Sequence, residues 1–154
     1  MSAIAIALHV LAAVVWVGGM FFAYTAARPV LAELDTPLRA KLWVGIFRRF
    51  FPWVWVSVAT LLLTGTYMVF DGFGGFAQAP AYVDAMMGLG VVMMALFGHV
   101  YFAPYRRLQR AVIDKDDTLA MRSMRQIRLM IAVNLSLGLA VILIAMLGSY
   151  ATFN

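Results

Sequence analysis

The chain has 154 residues, 64% of them hydrophobic and 12% charged, with a net charge of +5 and a mean hydropathy of +0.90. A soluble domain is about half apolar and a quarter charged, so this composition excludes one and points to an integral membrane protein. With no cysteine in the chain, thiolate metal sites, disulfide chemistry and haem attached through Cys are excluded too.

Four stretches reach the roughly 20 residues that a bilayer core requires: Ala3–Ala27, Phe51–Phe70, Tyr82–Ala103 and Ile127–Tyr150. The expected fold is all-α, a single domain over residues 1–154, built as a bundle of four transmembrane helices. The first stretch has no Lys or Arg before Arg28. It lacks the basic start of a signal peptide, so it reads as a mature helix. That helix is expected to stop near Arg28-Pro29, because the residue before a proline is pushed out of the helical region.

Glu33 to Phe50 follows, with Asp35 or Thr36 as a cap and Pro37 in the first turn. Leu38, Leu42, Trp43, Ile46 and Phe50 recur at helical spacing, and Arg39, Lys41, Arg48 and Arg49 fall largely elsewhere. This predicts a short amphipathic helix lying at the membrane interface and running into the second span. Pro52 is expected in that span's first turn, where its missing N–H is harmless, and Trp43, Trp53 and Trp55 as an aromatic belt. DGFGGFAQAP is a turn-forming loop. Beyond the third span, Asp114-Lys115-Asp116-Asp117 is the expected reversal into the fourth.

The charge distribution sets the orientation. Arg28, Arg39, Lys41, Arg48 and Arg49 lie between spans one and two; Arg106, Arg107, Arg110, Lys115, Arg122, Arg125 and Arg128 lie between spans three and four. The loop between spans two and three has only Asp71 and Asp84. Both basic loops are therefore expected in the cytoplasm and both termini outside, as in a multi-pass protein of the bacterial inner membrane. The basic surface suits anionic lipid headgroups, so the charge gives no reason to invoke nucleic acid.

Two histidines sit inside these apolar runs, and an intramembrane ionisable residue is a functional-site hypothesis by default. His9 is about 9 Å below the outer interface and His99 near the cytoplasmic end, on the order of 15 Å apart along the membrane normal. They are not expected to share one metal. The His9 face continues through Ala12, Ala13, Trp16, Gly19, Met20 and Ala23, and small residues admit a flat macrocycle or another helix. At the His9 depth lie Met68, Met86, Met87 and Met146. Imidazole with thioether suits the axial ligation of haem b, and imidazole with several thioethers suits Cu(I). The residues leave both open.

His99 shares its face with the small residues Gly88 and Ala95, and with Val92. It lies at the level of Arg48, Arg49, Arg106 and Arg107, whose forked guanidiniums could hold haem propionates. A structural histidine, bonded to a tyrosine or a backbone carbonyl, is the other reading. No nucleophile stands beside a base, and no phosphate-binding glycine loop is present.

LHVLAAVVWVGGMFF resembles the first helix of the CopD-like copper-resistance membrane proteins and of the related HemJ-type protoporphyrinogen IX oxidases. FRRFFPWVWVSVATLLLTG resembles their second helix, and GHVYFAPYRRLQR the end of their third. The oxidase resemblance implies a haem b bundle with His9 as axial ligand and His99 as the second family histidine. Where those oxidases carry a lysine early in the third helix, this chain has Met86-Met87.

The first expectation is thus a haem b membrane protein in electron transfer or porphyrin oxidation, working with a quinone or a redox protein. It would have His9 as ligand, Met86 or Met87 opposite, Trp16 on the cofactor face and His99 or Met87 as further metal candidates. An enzyme of this kind would be an oxidoreductase of protoporphyrinogen oxidase type. The alternative is a copper-handling protein using His9 and the outer methionines. In either case, glycine-rich faces on so small a bundle favour a homo-oligomer.

Overall fold

A computed structural model describes residues 2–153, with side chains over 2–151. α1 (Ala3–Phe22) passes through a π turn (Ala23–Ala27) into α2 (Arg28–Ala32); then come α3 (Thr36–Phe73), α4 (Ala81–Phe102), α5 (Pro104–Asp114) and α6 (Asp117–Phe153). The α1–α2 unit, α3, the α4–α5 unit and α6 are each long and apolar enough to cross a membrane. The protein is an all-α, multi-pass membrane protein.

Two boundaries differ from the sequence expectation. The first helix does not stop at Arg28-Pro29: the π turn carries it through to Ala32. The Arg28 amide bonds the Ala23 carbonyl, and this wider turn absorbs the missing N–H of Pro29. The amphipathic segment is not a separate helix. It forms the first half of α3, so Pro52 lies in the helix interior and not in a first turn. The lost bond at Pro52 is offset by packing, since Phe47, Phe51 and Val54 around it are all buried. Arg39 closes the preceding turn, its guanidinium donating to the Ala32 carbonyl and to Thr36 Oγ1 at 3.4 and 3.3 Å.

Other local signals act as their chemistry requires. Gly74 ends α3 at φ +77°, a conformation open to glycine. Asp116 caps α6 by accepting from the Leu119 amide at 2.9 Å. Lys115, at φ 54°, ends α5 in the left-handed region.

The helices pair α1 with α3 and α4 with α6, while α5 folds back onto α6. The consecutive helices α3 and α4 keep their backbones apart, and aromatic side chains bridge the gap. Phe51 sits at the hub, 4.9 Å from the Phe47 and Tyr105 rings, 5.5 Å from Phe97 and 5.9 Å from Tyr101. At mid-bundle α6 approaches α1 and α4 at Gly138. A Cβ there would stand 2.9 Å from Val17 Cγ2 and 3.1 Å from Met93 Cε. Glycine is what allows three helices to meet at one level.

The outward faces carry large apolar groups such as Ile4, Leu63 and Leu147, as a lipid-facing surface should. Two buried polar atoms run against this economy, Ser123 Oγ and Asn134 Oδ1. The Oδ1 of Asn134 is buried without a hydrogen-bond partner among the described residues, beside a cavity of about 20 Å³. An unsatisfied buried carbonyl costs about 1–3 kcal/mol. Asn134→Leu is therefore expected to raise thermal stability in detergent by about 1 kcal/mol. A fall in stability would contradict that reading.

Candidate functional site

His9 projects from α1 toward α3, where its Nδ1 lies 2.8 Å from Thr64 Oγ1. The Thr64 hydroxyl is in turn 2.6 Å from the Thr60 carbonyl oxygen, one turn back on α3. A carbonyl can only accept, so the hydroxyl proton goes to Thr60. Thr64 must then accept from His9, which puts the imidazole proton on Nδ1. Nε2 keeps its lone pair, and the ring is held at the other nitrogen. That is how metal-binding histidines are oriented, by a hydrogen bond from the nitrogen that does not ligate.

Gly65 completes the cradle. A Cβ on it would lie 3.3 Å from His9 Cε1, closer than ordinary packing. Thr64-Gly65 thus supplies one acceptor for the ring and the space for it to approach. The pairing was missed in the sequence, although a Thr inside an apolar run was visible.

Register along the helices gives the methionine levels. Val17 of α1 and Met93 of α4 both reach Gly138 of α6. His9 stands eight residues before Val17 on α1, and Met146 eight residues after Gly138 on α6. Met86 stands seven residues before Met93 on α4. At equal rise per residue these three lie within about a turn of one another. Met68 is one turn beyond Thr64 on the same face of α3. Met146 is 65% exposed and so turns away from the bundle axis; Met68, Met86 and Met87 are half-buried.

His99 is differently placed. Its Nε2 lies 3.4 Å from Gln126 Nε2, and Gln126 Oε1 accepts from Arg107 Nη2 at 2.8 Å. Arg107 fixes the amide so that its NH2 donates to His99, occupying the nitrogen a metal would need. Gly88, Val92, Ala95 and His99 are all exposed, so this stripe faces away from the bundle axis.

The two histidines serve different levels. Thr64, level with His9, is 13 residues from Phe51, which packs against Phe97 and Tyr101 on either side of His99. That is about 20 Å along α3. Trp16 is only 2% exposed and meets Phe97 edge-on at 6.1 Å, so it is part of the core. Of the four arginines expected to act together, Arg48 and Arg106 line one groove. Arg49 bonds the Gly45 carbonyl, and Arg107 belongs to the Gln126 pair.

This arrangement leaves no room for a haem against the small-residue face of α1 within one chain. The small-residue face of α1 is filled by side chains, with the Phe50 ring against Gly19. The cavity beside Trp16 holds about 20 Å³, room for one water. A soft monovalent ion makes a smaller demand. Among the described residues, no three His, Cys, Asp or Glu side chains come together, and the soft donors near the His9 level are thioethers.

Residues 44–147, about two-thirds of the chain, match the family model for copper resistance protein D. Thr64, Gly65, Met68, Met86, Met87 and His99 fall inside the matched stretch, and His9 precedes it. No curated protein and no solved structure matches the chain.

Proposed function

The chain belongs to the copper resistance protein D family, and on that premise we propose that it handles Cu(I) inside the membrane. His9 Nε2 is the nitrogen ligand. The hydrogen-bond chain from His9 through Thr64 to the Thr60 carbonyl carries this reading, because it leaves one imidazole lone pair free and fixes its direction. Cu(I) favours soft donors. Met68 on α3, with Met86 or Met87 on α4, supplies half-buried thioethers near that level. Copper is the cargo in this account, and haem b has no part in it.

Distribution of charge supports the orientation. With both arginine-rich ends in the cytoplasm of a bacterial inner membrane, His9 and the Gly74–Pro80 loop belong to the outer half. His9 would then meet copper arriving from outside. Substitution of Thr64 by valine keeps the side chain's shape and removes the acceptor. Loss of such a supporting bond costs about 10–100-fold in metal affinity. Thr64→Val is therefore expected to weaken Cu(I) binding by that factor in a competition titration against a chromogenic chelator. Unchanged affinity would sink the role given to Thr64.

A further inference from the structure

At the arginine-rich end of the bundle the gap between α3 and α4–α5 opens into a groove of about 900 Å³. Its size is that of pockets that enclose a drug-sized ligand. Arg48 from α3 and Arg106 and Arg110 from α5 line it. Arg106 and Arg110 are four residues apart, and so lie on one face of α5. All three side chains are exposed, and no Asp or Glu lines the groove.

Below the guanidiniums the wall is aromatic, formed by Phe51, Trp55 and Tyr101 among others. Trp55 is 39% exposed and the neighbouring Phe102 57%, so the wall continues onto the lipid-facing surface. The site is therefore cationic at one end and apolar at the other, and the apolar end is open toward hydrocarbon.

We propose that this groove holds one anionic phospholipid, its phosphate on Arg48, Arg106 and Arg110 and the start of its acyl chains along Phe51, Trp55 and Tyr101. Charge complementarity selects the headgroup, since three guanidiniums without a carboxylate ask for a phosphate. The open aromatic wall selects a lipid over free phosphate, which would leave that wall unused. The held lipid fills the part of the gap between α3 and α4–α5 that the aromatic rings leave open. This inference is independent of the copper reading: it concerns the other end of the molecule and different residues.

Native mass spectrometry of the full chain tests it, with phosphatidylglycerol, phosphatidylcholine of the same acyl chains, and inorganic phosphate as competitor. The wild type is expected to retain one phosphatidylglycerol more tightly than phosphatidylcholine, and millimolar phosphate is expected not to displace it. Each arginine near a membrane surface is worth roughly fivefold in affinity for anionic lipid, so R48Q/R106Q/R110Q should lose roughly a hundredfold. A control removing equal charge from the same end, K41Q/R49Q/K115Q, should keep the lipid. Should the groove triple prove polydisperse, R48Q and R110Q alone are each expected to lose roughly fivefold. Equal retention of the two lipids, equal loss in the control, no loss in the groove variants, or displacement by phosphate would each overturn the proposal.

Discussion

His9→Ala is expected to abolish high-affinity Cu(I) binding, lowering it by more than about 100-fold, beyond the loss expected for its supporting Thr64. The chain has two histidines, and only one of them offers a free ring nitrogen. His99 has its Nε2 engaged by Gln126, so it cannot substitute without breaking the bond that Arg107 organises. Stability should change little, because His9 contributes one hydrogen bond to Thr64, worth about 0.5–1.5 kcal/mol. His99→Ala is the comparison: it should leave the copper affinity of the wild type intact. If His9→Ala instead bound Cu(I) as tightly as the wild type but melted much earlier, the imidazole would be a structural group.

The second large effect belongs to Phe51→Ala, which is expected to destabilise the bundle by about 3–5 kcal/mol, the range for truncating a buried phenylalanine. Phe51 is 3% exposed and touches rings from α3, α4 and α5. Lipid tails are as apolar as a side chain, so burial alone drives little association in a bilayer, and packing contacts matter more. Removing the hub ring forfeits contacts to Phe47, Phe97, Tyr101 and Tyr105 together. Unfolding in mixed micelles against rising SDS measures it. A loss under about 1 kcal/mol would mean that the neighbouring rings repack, well below the usual cost of such a cavity.

Much of this architecture could be read from residue type alone, and the exceptions have identifiable causes. The four spans follow from length and apolarity, and the reversal at Lys115 from a polar tetrad. Pro52 misled because proline usually marks a first turn. Here the helix begins sixteen residues earlier, at Thr36, and the buried rings on both sides outweigh one missing bond. The arginine pairs show a different limit. Arg48 and Arg49, like Arg106 and Arg107, are adjacent on helices, and neighbours diverge by about 100°, so only one of each pair reaches the groove. Arg110 does reach it, and its four-residue spacing from Arg106 was the available signal. No spacing rule pairs residue 9 with residue 64; that contact depends on α1 choosing α3 as its partner. The haem expectation rested on a small-residue face that is real but is packed at Gly19 by Phe50.

The central claim is that one imidazole nitrogen, aimed by Thr64, holds Cu(I) with thioether sulfurs in the outer half of the bundle. X-ray absorption at the copper edge of the Cu(I)-loaded protein addresses it most directly. One imidazole together with sulfur scatterers, the imidazole signal disappearing in His9→Ala, is the predicted result. A shell of oxygen and nitrogen without sulfur, or a spectrum unchanged by that substitution, would contradict it.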